Sequence, residues 1–231
     1  MRRIAILNPN ATDAMTQDMV AMARTIVPAD VEVIGATNVQ GPAAIQGEAD
    51  SVACLPGLFD MAADAVKLGA DVIIIGCFDD TGLDTLRSSL PCPVIGLGEA
   101  SMVMACLVSP RFAVVTTTQG SVPVIEQNIT RMGLGPRCAG VYAAGIPVLE
   151  LEHEIAALQQ AISTVSASSG ATAIILGCAG MSTMASSLHA PASTRLVDPV
   201  RAAVGLSSVL DDATLPRSRQ GRSRAGAFIA D

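Results

Sequence analysis

Aromatic side chains are scarce in this chain: four Phe, one Tyr and no Trp among 231 residues. Its 50% hydrophobic content must therefore come from Val, Ile, Leu, Ala and Met. Such a core suits parallel strands covered on both faces, which read as unbroken aliphatic runs. Charged residues make up only 15%, and the net charge is −7. The closing stretch "PRSRQGRSRAGAFIAD" carries four Arg and one Asp, so the tail holds +3 and the rest of the chain about −10. An acidic body with few aromatics excludes a nucleic-acid partner, and residues 213–231 read as a basic, flexible C-terminal tail.

Long apolar runs are missing as well. No segment reaches the roughly eighteen residues of a membrane span, so no membrane partner is expected. The opening "MRRIAILNPNAT" has two Arg but only four apolar residues before Asn8-Pro9-Asn10, which reads as a strand rather than an export signal. Six cysteines with no Cys-x-x-Cys spacing exclude a disulfide framework and a zinc site, and point to reduced thiols in a cytoplasmic protein. No glycine-rich phosphate loop and no His/Cys metal cluster occurs, so neither a cofactor nor a metal is expected.

What is present is alternation. Aliphatic strands at 3–8, 31–38, 71–76 and 93–98 are separated by helical stretches at 11–27, 48–69 (kinked at Pro56) and 81–90, with an apolar helix at 99–109. The pattern then restarts, with strands at 111–117, 138–145, 172–177 and 193–199 and helices at 122–133, 151–170 and 199–212. Strands alternating with helices imply a parallel α/β sheet. The restart implies an internal duplication and two pseudo-symmetric lobes. The expected division is a first lobe of residues 1–97 plus about 196–212, and a second of 98–195. The helix "EASMVMACLVS" is too apolar for an ordinary surface helix, which places it between the lobes or in the interface of a homo-oligomer.

The repeat includes a cysteine. "VIIIGCFDDTGL" and "AIILGCAGMSTM" each run from an aliphatic strand into Gly-Cys, at Cys77 and Cys178, 101 residues apart. Ligands of open α/β sheets gather at the carboxyl ends of strands, so two related lobes would face two thiols across one cleft. A thiol ahead of a helix N-terminus is expected to have a lowered pKa, and the N–H groups there can hold an oxyanion. Two such thiols can remove a proton from a carbon beside a carbonyl and return one on the opposite face. For either cysteine alone, packing is the simpler role. The matched setting separates these two from Cys54, Cys92, Cys106 and Cys138, of which Cys54 and Cys106 read as packing residues within helices.

"NPNAT", "GPAAIQGEAD", "GCFDDTGL", "VIGLGEAS", "VTTT" and "GCAGM" together resemble the aspartate/glutamate/hydantoin racemase superfamily, in its hydantoin and allantoin branch, over residues 3 to about 210. The resemblance implies cofactor-independent racemisation of a 5-substituted hydantoin, catalytic roles for Cys77 and Cys178, and a homo-oligomer. Two departures from glutamate racemases matter. Cys178 is followed by Ala179-Gly180-Met181 rather than Thr-His, and the first strand ends in Asn8-Pro9-Asn10 rather than Asp-Ser. The cleft motifs carry no basic residue, which suits a small neutral cyclic ureide or imide better than an amino acid. Allantoin and amino-acid racemisation, an arylmalonate-type decarboxylase with a single cysteine, and a non-catalytic small-molecule-binding protein are the other readings.

Asn8 and Asn10 could donate to a ring carbonyl, although Asn-Pro-Asn is also a turn signal. Thr117 and Thr118 hold the equivalent place in the second repeat, with hydroxyls that donate and accept. Phe78 and Asp79 after the first cysteine, and Ala179 and Gly180 after the second, are expected to line the substrate site. By resemblance, Ile45 belongs to an apolar wall. Asp80 is expected to cap the helix that follows it. Glu99 reads as a first-turn residue, and His153 and His189 match no motif.

Overall fold

The computed structural model describes residues 2–213. The first half runs β1 (Arg2–Asn8), α1 (Asp13–Arg24), β2 (Val31–Thr37), α2 (Glu48–Ala53), α3 (Leu55–Lys67), β3 (Val72–Ile75), α4 (Leu83–Ser89) and β4 (Val94–Gly96). After α5 (Leu97–Val108) come β5 (Phe112–Thr116), α6 (Val122–Arg131), β6 (Cys138–Ala143), α7 (Ile155–Ser168), β7 (Ala173–Leu176), β8 (Arg195–Val197) and α8 (Pro199–Ala213). The strands form two parallel four-stranded sheets of identical order, β2-β1-β3-β4 and β6-β5-β7-β8. The duplicated α/β architecture expected from the alternation is the one observed.

Strand periodicity decides which layer each side chain joins. Ile4, Ile6, Val72 and Ile74 face one core, while Ala5, Leu7, Ile73 and Ile75 face another with α3 and α4 residues such as Leu58, Ala62 and Leu86. The second sheet divides likewise: Val114 and Ile175 join the core shared with the first lobe, and Val115, Ile174 and Leu176 pack with Leu158, Ile162 and Val165 of α7. The shared core, with Met102 and Ala105 of α5 and Val200, Ala203 and Val204 of α8, welds the two lobes together. Helix α5 is thus sandwiched between lobes along one face, leaving Leu107 exposed on the other. Strand β8 pairs with β7, so residues 195–197 lie in the second sheet, and α8 then returns to pack on α5 and α1.

Two boundaries differ from the sequence reading. The stretch 48–69 breaks at Cys54 rather than kinking at Pro56, because Pro56 occupies the first turn of α3, where its missing N–H costs nothing. Cys54 therefore sits at a helix junction rather than within a helix; its thiol donates to the Ser51 carbonyl at 3.2 Å. Residues 148–153 form a 3₁₀ segment ahead of α7. The basic tail, apart from residue 213 at its start, lies outside the described residues.

Candidate active site

Each Gly-Cys ends a central strand in the same way. The Gly76 N–H donates to Leu7 O at 2.7 Å, and the Gly177 N–H to Val115 O at 2.8 Å. A Cβ on Gly76 would lie 2.7 Å from Met19 Cε, and one on Gly177 would lie 2.8 Å from Val114 Cγ1. At Gly177 a Cβ would also press on Val115 O at 2.9 Å, so glycine is needed there, whereas at Gly76 it would displace the end of Met19 and stand 3.1 Å from Leu7 O. The cysteine that follows is carried to the same position in each lobe. Both cysteines are buried, at 9% exposure, and both line one cavity of about 30 Å³ between the lobes. Asn10, Ile45, Phe78, Asp79, Thr117 and Ala179 line it with them.

The thiols do not precede α-helices as expected. Helix α4 starts only at Leu83, and Cys178 leads into a short 3₁₀ segment, Ala179–Ser182. Without a helix macrodipole behind them, their ionisation is governed by burial. Desolvation, followed by the charge of Asp79, pushes the Cys77 thiol well above its ordinary value, opposed by a hydrogen bond from the Asp79 N–H. Desolvation raises Cys178 to about 11, opposed by the N–H of Gly180, with Asp79 raising it and the N–H of Met181 lowering it. The lowered pKa expected from sequence is therefore corrected to a raised one. The backbone donors nevertheless match: each sulfur meets the N–H of the residue two positions on.

Asn8 is buried and fully used inside the protein. Its amide donates to Asn10 Oδ1 at 2.9 Å and Thr16 Oγ1 at 3.0 Å, and its Oδ1 accepts from the Asn10 N–H at 3.2 Å. It fixes the turn that presents Asn10, and lies outside the cavity lining. Thr118 and Gly180 also lie outside it. The Thr118 hydroxyl turns to Gln46 O at 3.4 Å, and Gly180 contributes its backbone. Ile45 reaches the cavity on the loop between β2 and α2, which crosses to the second lobe: Gln46 Oε1 accepts from the Val148 N–H at 3.0 Å. A Cβ on Gly120 would stand 2.3 Å from Gln46 O, so glycine is needed where this loop crosses.

The adjacent acids Asp79 and Asp80 have different environments. Asp80, at φ 53°, accepts from the Gly98 N–H at 2.8 Å and the Glu99 N–H at 2.6 Å. It therefore caps α5, not the helix that follows it in sequence, because its left-handed backbone aims the carboxylate across the sheet end. Asp79 is buried, and its Oδ2 has no partner. Its carbonyl accepts from Asn128 Nδ2 of the other lobe at 2.9 Å. Burial, and then the charge of Asp50, raises its carboxyl to about 7. Sequence reasoning missed Met15, Ser121 and Val148, which complete the lining. Met15 is on α1 and Val148 in a 3₁₀ segment, where no local pattern marks a side chain that reaches the other lobe. Among the described residues no three His, Cys, Asp or Glu side chains are grouped to hold a metal.

Comparison with known proteins adds to this geometry. The family model described as Asp/Glu/Hydantoin racemase matches residues 4–206. A curated relative, the hydantoin racemase of Rhizobium meliloti, is 36% identical over 211 residues, 90% of this chain and 88% of that protein. The hydantoin racemase of Pseudomonas sp. (strain NS671) is 29% identical, over 91% of this chain and 86% of that protein. Among solved structures, the allantoin racemase from Klebsiella pneumoniae superposes with a TM-score of 0.87 at 30% identity, covering 92% of this chain and 89% of that one.

Proposed function

The chain belongs to the Asp/Glu/hydantoin racemase family and is a racemase of its hydantoin and allantoin branch, and from that premise we propose that Cys77 and Cys178 are the two bases that invert a 5-substituted hydantoin. The observation that carries this reading is the pair of cysteines at equivalent strand ends lining one inter-lobe cavity.

One sulfur, as thiolate, takes the proton from C5 of the ring. The electron pair of that C–H bond moves into the adjacent carbonyl, giving an enolate. The second sulfur, as thiol, then delivers its proton to the opposite face of C5. The sulfurs have exchanged protonation states, and the stereocentre is inverted. No external acid, base or cofactor enters the balance. Raised thiol pKa values keep the acid partner protonated, and the backbone N–H groups on each sulfur stabilise whichever one is ionised. Asn10 and Thr117 supply polar atoms for the ring, and Ile45, Phe78 and Ala179 supply apolar wall.

The cavity, at about 30 Å³, is far below the roughly 300 Å³ at which small-molecule pockets begin, so binding a hydantoin ring requires it to widen. A groove of about 550 Å³ between α2–α4 and α6 adjoins it, with Asp79 common to both, and gives the ring substituent room. Allantoin, a hydantoin with a ureido substituent, is the second reading, favoured by the allantoin racemase relative. An amino-acid substrate is disfavoured because, among the described residues, no Lys or Arg lines the cavity to meet a carboxylate.

The test is a pair of variants, Cys77→Ser and Cys178→Ser, assayed by loss of optical rotation on chiral hydantoins including allantoin. Each should lose racemisation by at least about a hundredfold, the lower range for a general acid or base. In deuterated solvent each variant should retain C5 exchange for only one enantiomer, opposite in the two. Near-normal racemisation by either variant on every hydantoin would sink the paired-thiol reading.

A further inference from the structure

Asp79 is the one polar side chain shared by the cavity and the adjoining groove. Its main chain is held from both sides, by its N–H to the Cys77 sulfur and by its carbonyl from Asn128. These bonds hold the Asp79 main chain at the point where the cavity and the groove adjoin. Its neighbour Asp80 has both oxygens satisfied by α5, whereas Asp79 Oδ2 is buried and unpartnered. A buried carboxyl without a partner opposes folding, and its presence here marks a group whose partner arrives with the ligand.

The ionisable groups nearest it are all acids or thiols. Cys77 and Cys178 face it across the cavity, Cys54 and Asp50 approach from the α2–α3 junction, and Asp80 follows it in the chain. Glu48, Asp84 and Arg131 border the groove, and Arg131 is already paired with Asp84. Among the described residues lining the cavity and the groove, Arg131 is the one cation, and its pairing with Asp84 occupies it.

We propose that Asp79 selects the substrate by charge, its free carboxyl oxygen hydrogen-bonding an N–H of a neutral cyclic ureide and repelling an anionic substituent that enters the groove. The proposal rests on the reading of the cavity as a hydantoin site. The carboxyl is raised to about 7, so the repulsion strengthens as pH rises through that value and the acid ionises.

The experiment compares two probes that differ only in charge, 5-(2-carboxyethyl)hydantoin and 5-(2-carbamoylethyl)hydantoin. Dissociation constants come from titration calorimetry and turnover from polarimetry, between pH 6 and 8.5, on the full-length enzyme. The wild type should favour the carbamoyl probe by about thirty-fold at pH 8.5, the discrimination given by a like charge about 8 Å away at an effective dielectric of 20. The preference should shrink towards pH 6. Asp79→Asn should flatten this pH dependence and lower the preference about tenfold or more, while binding the carbamoyl probe within about tenfold of wild type, since the amide keeps a polar partner for the ring. An unchanged ratio in Asp79→Asn, or loss of binding to both probes in a variant with native circular dichroism, would overturn the proposal. A wild-type ratio that stays flat with pH overturns it without reference to any variant. Cys178→Ser reports separately on the underlying reading: it should bind both probes with the wild-type ratio while turning over neither. Binding of neither probe by the wild type would remove both.

Discussion

Replacing Asp79 by Asn should stabilise the protein, by an amount that grows as pH rises from about 4 to about 7 and then levels off. The carboxyl moves from an ordinary 3.8 to about 7 on folding, chiefly through burial. A carboxyl raised in this way binds more protons folded than unfolded, so its favourable contribution is complete below about pH 4 and is lost as pH rises to about 7. The shift corresponds to about 4 kcal/mol between protonation states, at 1.36 kcal/mol for each tenfold. Asparagine is close in shape to the protonated acid and does not titrate. At pH 4.5 the variant should match wild type within about 1 kcal/mol, the unpartnered amide being no worse than the unpartnered acid. At pH 8.5 it should be about 2–4 kcal/mol more stable, the lower figure allowing for solvation as the cleft opens. Asp80 is also raised to about 7, chiefly by burial and least by Asp79 itself, so the substitution relieves it slightly and adds to the difference in the same direction. Urea unfolding followed by circular dichroism at four pH values gives the difference directly from midpoint and slope. A variant less stable than wild type at pH 8.5, or a difference independent of pH, would refute the assignment of Asp79 as an uncompensated buried acid.

The same electrostatics set the pH–rate profile. With Cys178 raised to about 11 and Cys77 higher than usual, kcat/KM for a neutral hydantoin should climb about tenfold per pH unit from 6.5 to 8.5; a plateau below pH 8 would mean that the thiols ionise more readily than burial allows. Gly96→Ala would drive a Cβ to 2.1 Å from Asp80 Oδ1 and disturb the α5 cap, at a cost of about 1–3 kcal/mol in urea unfolding; an unchanged midpoint would show that the carboxylate can retreat freely. Cys54→Ser should keep racemisation within about threefold, since Cys54 does not line the cavity, and a loss approaching that of Cys77→Ser would extend the site to the helix junction. The exposed Leu107, with Val103 and Val108 beside it on α5, predicts a homo-oligomer that Leu107→Asp weakens, read by light scattering at micromolar concentration; a wild-type monomer would contradict it.

Much of this protein was legible in one dimension. Aliphatic strands alternating with helices and the restart of that pattern specify two parallel α/β lobes, because burial of a strand on both faces is written into a local run such as "VIII" or "AIIL". The paired Gly-Cys was visible for the same reason: its glycine serves a contact that recurs in each repeat, and the duplication makes the match conspicuous. Other features depended on partners distant in the chain. Asp80 reaches α5 rather than α4 because a left-handed residue at the sheet end redirects its side chain, which residue type alone does not specify. Asn8 and Asn10 look alike in "NPNAT", yet the one folds inward to hold the turn and the other borders the cavity. The thiols, expected to be acidic beside helix ends, are raised instead, because desolvation depends on how completely the second lobe covers the first. A sequence carries local periodicity and repetition; dielectric surroundings and cross-lobe contacts come into being only when the two halves close on each other.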